Sequence, residues 1–218
     1  MTTLVGVPVA PMFPLGTVLV PGMVLPLHVF EPRYRRMVDD CRAGDGTFGV
    51  VLIERGSEVG GGDVRTDVGT LARILRADEL PDGRWILGAL GIHRIRVEQW
   101  LPDEPYPRAE IVEWADEPGK PAGEPPDEGL SDDRVDVTML LRRAAALSRE
   151  MGEPAPPLDL ELADDPVVAS YQATVVAPVG PADRQALLAA PSVPARWALL
   201  HQLLVDQIDL LQARLAGG

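Results

Sequence analysis

Residues Met12 to Cys41 read MFPLGTVLVPGMVLPLHVFEPRYRRMVDDC. Two short apolar runs, Met12–Leu15 and Val24–Phe30, are separated by Gly16 and by the pair Pro21-Gly22. Pro-Gly marks a turn, because proline presets φ and glycine accepts a positive φ. The second run ends on Phe30, and a helix is expected to start at once. Glu31 places a negative group at the helix N-terminus, and Pro32 takes the first helical position, where no N–H is needed. Tyr34, Met37, Val38 and Cys41 then recur at helical spacing and define one apolar face, with Arg33, Arg35, Arg36, Asp39 and Asp40 taking the other positions. The stretch predicts strand, turn, strand, and an amphipathic helix docked on those strands.

Downstream, Gly44-Asp45-Gly46 ends the helix, and the continuous apolar run Phe48–Ile53 reads as a buried strand. Gly56–Asp67, with Gly60-Gly61-Gly62, reads as a loop. Val68–Leu80 is a long alternating strand, Pro81-Asp82-Gly83 a hairpin turn, and Arg84–Gln99 the returning strand. Gly88 and Gly91 interrupt that strand, as bulges or bends in a curved sheet do. Arg108–Trp114 closes the β part, residues 1–115. This order predicts an α+β fold that opens with a bent, barrel-like sheet carrying one helix.

Composition changes abruptly at Asp116–Asp133, DEPGKPAGEPPDEGLSDD, where seven acidic residues face Lys120 alone. Such a segment lacks the apolar area to offset its ordering entropy and reads as a linker. Residues 134–218 read as a helical bundle. Val137, Leu140, Leu141, Ala144 and Met151 mark one helix, with Ser131–Asp133 as its expected cap. Asp165-Pro166 starts another helix, along which Val168, Tyr171 and Val175 run, and Pro181–Ala190 is a short third. After Ser192, Val193, Trp197, Leu200, Leu204, Ile208, Leu211 and Leu215 form a stripe, widened by Leu199, Leu203 and Leu210. That width suits a bundle, and a dimerising coiled coil is the sharper alternative.

The chain has 218 residues and a formal net charge of -13, which repels phosphate backbones in bulk. The charge is uneven: Glu31–Arg108 holds 14 acidic residues against 12 arginines. The start MTTLVGVPVAP lacks a basic n-region and a long apolar core, so no signal peptide is expected, and no apolar run approaches the ~20 residues that span a bilayer. A cytoplasmic protein without a membrane partner is the expectation. The single cysteine, Cys41, reads as apolar filler on the helix face.

Motifs for chemistry are missing from these residues. His28, His93 and His201 show no metal-ligand spacing, so no metal and no cofactor is expected. His28 and His93 read as hydrogen-bonded structural residues. Gly60–Gly62 is not followed by Lys-Ser/Thr, which excludes a phosphate-binding loop, and no GxSxG elbow occurs. Arg33, Arg94 and Arg96 with Glu31 form either a functional charge cluster or ordinary ion pairs on a curved sheet.

The string FPLGTVLVPGMVLPLHVFEPRYRRMVDDC resembles the opening of the Lon N-terminal (substrate-binding) domain family, in its stand-alone bacterial form. VGTLARILRADELPDGRWILGALGIHRIRV resembles the family's central hairpin, and DPVVASYQATVVAPVGPADRQALLAAPSVPARWALLHQLLVDQIDLL its helical half. The resemblance implies a PUA-like β subdomain, a helical bundle, and a role in holding polypeptide segments. The ATPase and Ser-Lys protease parts of full-length Lon do not occur in these residues, whose single lysine is Lys120. The resemblance therefore implies a non-catalytic, proteolysis-related adaptor, not an enzyme. RNA binding, known for other PUA-like sheets, is the alternative, against which the net charge and the missing pair of stacking aromatics speak. Unfolded or exposed polypeptide is the expected partner, and a monomer or weak homodimer the expected state.

The candidate peptide-binding residues are Val18, Leu19, Val20, Met23 and Val24, an apolar segment whose prolines and glycine hinder full sheet pairing. The competing reading is that they close one end of the barrel. Limited proteolysis followed by mass spectrometry is expected to cut first within Asp116–Asp133 and to leave two folded fragments. Early cuts in Val193–Leu215 would refute that division.

Overall fold

The computed structural model describes residues 8–56, 63–116 and 128–217. The glycine run Gly60–Gly62, Lys120 and most of the acidic Pro/Gly segment lie outside these residues. The chain divides into two compact units, Met1–Ala115 and Asp116–Gly218.

The first unit contains β1 (Val9–Leu15), β2 (Val24–Val29), α1 (Pro32–Ala43), β3 (Thr47–Arg55), β4 (Val64–Glu79), β5 (Trp85–Leu101) and β6 (Arg108–Glu113). Strand order is β2-β5-β4-β3-β1-β6, and an added β5–β6 pairing closes a ring of five strands. β2 stands outside the ring, paired antiparallel to the first half of β5. β1 and β3 are parallel, and the crossover between them carries β2 and α1. A parallel pair needs such a crossover, since no tight hairpin can join its strands.

α1 buries Tyr34, Met37, Val38 and Cys41, the face its spacing specified. They share a core with Phe13, Leu15, Leu25, Val29, Phe48, Trp85 and Leu87. Phe13 stacks on Tyr34 at 4.3 Å between ring centroids. Bulges in the β4–β5 ladder fall between Leu71 and Ala72 and between Ile74 and Arg76, opposite the Gly91 and Gly88 regions. Gly91 has a second reason to be glycine: a Cβ there would lie 2.6 Å from the Val20 carbonyl oxygen.

The second unit contains α2 (Glu128–Glu150), α3 (Pro166–Val176), α4 (Pro181–Leu188) and α5 (Val193–Gly217). α2 starts before Ser131–Asp133, which therefore lie inside the helix and do not cap it. Asp165 caps α3 by accepting from the Val168 N–H, and Ser192 accepts from the Ala195 N–H. Along α5, Val193, Trp197, Leu200, Leu204, Ile208 and Leu211 are buried, whereas Leu210 and Leu215 are exposed, so the stripe is narrower than the sequence suggests. On α3 Ala169, Ser170, Tyr171, Ala173 and Thr174 are buried, so of the expected face Tyr171 is buried, Val175 half-buried and Val168 exposed. Small residues let this helix approach its neighbours closely, and apolar size alone misplaces Val168.

Arg196 is fully buried near the start of α5. Its guanidinium donates to the Leu187 carbonyl (3.1 Å), Ser170 Oγ (2.7 Å), Tyr171 Oη (3.2 Å) and the Asp116 carboxylate, and lies over the Tyr171 ring. The sequence reading missed this residue, because an arginine beside an apolar stripe reads as solvated.

Met37 is fully buried and Asp39 exposed on the same helix. Met37→Asp is expected to cost about 3–5 kcal/mol, from lost packing and a buried unpaired charge. Asp39→Ala should stay within about 0.5 kcal/mol. Urea denaturation of both variants checks the pair.

Candidate functional site

Val18, Leu19 and Val20 are at most 2% exposed. The expectation that the whole segment offers its side chains fails for these three. The Pro21-Gly22 turn doubles the chain back onto β5: Gly22 N–H donates to the Gly91 carbonyl, Gly91 N–H to the Met23 carbonyl, and Met23 N–H to the Val20 carbonyl. Thr70 Oγ1, itself buried, donates to the Leu19 carbonyl at 2.6 Å. The segment therefore plugs the barrel. Of the five candidates, Met23 is half-buried against the core and Val24 is 55% exposed.

Exposed apolar area continues from Val24 along β2 and β5. Val24 pairs with Leu90, Pro26 with Gly88 and His28 with Ile86. Val24, Pro26 and His28 face outward, Ile86 is 48% exposed, and the space above Gly88 is open. Alternation within β2 sends Leu25 and Val29 into the core and presents the other set to solvent. At the end of β2, Phe30 is 54% exposed. Beside it lies a pocket of about 170 Å³ lined by Phe13, Leu15, Pro26–Phe30, Glu31 and Tyr34. A contiguous exposed apolar face beside an open pocket is the usual physical mark of a binding surface.

Charge rims the pocket. Glu31 accepts from Arg33 Nε at 3.0 Å, and the Arg33 guanidinium lies over the Tyr34 ring. Burial pushes the Tyr34 hydroxyl up to about 12, within reach of the charges of Arg33, Glu31, Asp63 and Arg65. Arg65 bridges Asp63 (2.6 Å) and Asp103 (2.8 Å) and covers Trp100. The cluster proposed from sequence therefore separates: Arg33 and Glu31 sit at the pocket, whereas Arg94 donates to the Trp114 and Ala115 carbonyls, with Arg94 and Arg96 both on the Trp114 ring.

The histidines are all exposed: His28 lines the pocket, His93 lies 3.6 Å from Glu113, and His201 is on α5. Burial pushes the Cys41 thiol up to about 12, with Asp45 and Asp40 adding to it, so it stays a protonated, inert filler. Among the described residues no group of His, Cys, Asp and Glu is placed to hold a metal ion, and no helix is long and apolar enough to cross a membrane.

The profile of the ATP-dependent protease La (LON) substrate-binding domain matches residues 9–206, and the chain belongs to that family. Lon protease 1 of Herpetosiphon aurantiacus is 27% identical over 207 residues, covering 91% of this chain and 24% of the relative. Lon protease of Flavobacterium johnsoniae is 34% identical over 110 residues, covering 49% of this chain and 13% of the relative. The chain thus spans a quarter or less of the length of these two relatives. Among solved structures, the Lon N-terminal domain protein from Xanthomonas campestris superposes with a TM-score of 0.59 at 28% identity, covering 91% of this chain and 98% of that one. The N-terminal domain of Mycobacterium avium complex Lon protease gives a TM-score of 0.63 at 18% identity over 91% and 99%, a likeness of fold. The α+β fold expected from the sequence is that of these domains.

The Asp63 side chain is 4% exposed. Burial acts to raise its pKa, but the Arg65 hydrogen bond, its own backbone N–H and the charges of Arg65 and Arg33 outweigh that and hold the carboxyl below its ordinary value. A depressed carboxylate stabilises the fold above its unfolded pKa of about 3.9, and that contribution is lost as pH falls through the lower folded value. Asp63→Asn is therefore expected to flatten the acid limb of the stability profile below about pH 4. Urea midpoints measured from pH 6 down to pH 2 check this, and an unchanged slope would refute it.

Proposed function

We propose that this chain is a non-catalytic module that holds exposed apolar segments of other polypeptides in the cytoplasm, acting as a monomer or weak homodimer alongside proteolytic machinery. The observation that carries the reading is the exposed face of Val24, Pro26 and Ile86 running into the Phe30 pocket, in a chain of a substrate-binding domain family. A shallow apolar strip suits a loosely specified partner, since apolar contact is non-directional. The pocket adds one place where a larger side chain is enclosed. The proposed binding strip begins at Val24 and excludes the buried Val18–Val20.

The charge pattern supports protein over nucleic acid as the partner. Arg76 and Arg84, beside the β4–β5 hairpin turn, are held by Asp78 at 2.6 Å and Asp82 at 2.7 Å. Cations paired in this way do not make the continuous basic patch that tracks a phosphate backbone.

Titration into a fluorescein-labelled, reduced and carboxymethylated α-lactalbumin, followed by anisotropy, tests the reading. The expected affinity is on the order of micromolar, about −8 kcal/mol. Val24→Glu and Ile86→Glu should each weaken binding by about tenfold, with an unchanged circular dichroism melt, because both side chains project into solvent. Absence of binding by the parent chain at about a hundredfold higher concentration would overturn the function. Equal binding by parent and variants would move the site.

A further inference from the structure

The face accounts for side-chain contact, but β2 also presents a backbone edge. Gly91 N–H donates to the Met23 carbonyl at 2.9 Å, and the Gly91 carbonyl accepts from the Gly22 N–H at 2.8 Å, so the chain at Met23 directs its backbone to β5 in the manner of a hydrogen-bonded antiparallel position. The β2–β5 register runs without a shift from Val24/Leu90 to Val29/Trp85. Hydrogen-bonded and non-hydrogen-bonded pairs alternate along such a ladder. Leu25, Leu27 and Val29 therefore direct their backbone groups to β5, and Val24, Pro26 and His28 direct theirs away from it. Pro26 confirms the parity independently: it has no N–H to give, and proline is tolerated in a sheet where that missing donor faces outward.

Among the described residues β2 has β5 as its single neighbour, and no hydrogen bond is formed by the outward groups of Val24, Pro26 or His28. The edge thus offers donors at Val24 and His28 and acceptors at Val24, Pro26 and His28, spaced two residues apart. The pocket is lined by this strand from Pro26 through Val29 together with Phe30, Phe13 and Leu15 of β1, and Tyr34 of α1. These groups match one kind of occupant, an extended backbone whose own N–H and C=O groups repeat every second residue.

We propose that the polypeptide segment adds as a strand to the free edge of β2, with one large apolar side chain seated in the Phe13–Phe30–Tyr34 pocket. This rests on the polypeptide-holding reading above and specifies its mode. Sequence tolerance follows, since main-chain hydrogen bonds supply affinity for any extended segment and the pocket selects a single position. Pro26 leaves a gap among the edge donors, so the added strand is held at its two ends and loosely in the middle.

The test is a backbone N-methyl scan of a short fluorescein-labelled peptide alternating Thr with Phe and Val, read by anisotropy and by competition against the carboxymethylated α-lactalbumin. N-methylation at alternate positions is expected to weaken binding by about tenfold, and at the intervening positions by less than about twofold, because a strand uses every second N–H for its neighbour. His28→Pro, which removes an outward donor and leaves the β5 ladder intact, should weaken the peptide by a similar factor while His28→Ala does not. A scan with no period of two, or a peptide that fails to compete while the unfolded protein still binds, overturns strand addition and leaves the polypeptide-holding function standing. Loss of all binding to the unfolded protein overturns both. Concentration-dependent dimerisation abolished by His28→Pro would assign the edge to a second copy of the chain and overturn the proposal.

Discussion

The first unit depends on one strand serving two neighbours on the same side. β5 is 17 residues long, and pairs with β2 through Trp85–Leu90 and with β6 through Ile95–Leu101, while β4 runs along its other side. A strand of that length cannot stay straight in a closed ring, because twist accumulates and the barrel must curve. Gly88 and Gly91 lie where the bend and the β4–β5 bulges fall, and Gly91 additionally admits the Val20 carbonyl. Closure of the ring, burial of the Val18–Val20 plug and the exclusion of β2 from the ring all follow from where β5 bends. A side chain at Gly91 would act on all three.

The arginines show how little charge alone says about function. Arg94, 3% exposed, is spent on two backbone carbonyls and a tryptophan ring, and Arg196 on a hydroxyl, a carbonyl, a phenol and a carboxylate. A guanidinium taken out of water is tolerable when its donors are met in a planar fork, which suits arginine better than lysine. With a single lysine and 19 arginines by difference from 20 basic residues, the chain has what such sites require. The cost of removing Arg196's partners one at a time would exceed the net worth of the cluster, since each removal strands a buried donor.

Local patterns carried much of the fold. The spacing of Tyr34, Met37, Val38 and Cys41 names the buried face of α1, and Pro81-Asp82-Gly83 the turn between the long strands, because both are set by neighbours in sequence. Placement of Val18–Val20 was not legible in the same way. Whether an apolar segment broken by proline and glycine is a surface or a plug depends on a cavity built by Thr70 and Gly91, some fifty and seventy residues away. The α3 face was legible in part: Tyr171 is buried as its spacing suggests, whereas Val168 is exposed and the small Ala169 and Ala173 are buried, which the proximity of other helices explains. The pocket was half-legible, since Phe30, Glu31 and Tyr34 stand together in sequence while Phe13 and Leu15 arrive from β1.

An open strand edge is a hazard, and most proteins blunt it with charge, proline or a bulge. β2 carries one such device, Pro26, in the middle of its outward set, and keeps donors on either side. Two copies pairing β2 to β2 would align a proline gap with an edge that is only three outward residues long, so self-association gains few hydrogen bonds. An unfolded polypeptide is under no such constraint: it can slide until its own residues suit the gap and a large side chain reaches the pocket. The same feature that limits pairing between copies therefore leaves the edge usable by a flexible partner. The proposed holding of varied chains would draw on this asymmetry, which rests on a proline whose missing N–H points away from the sheet.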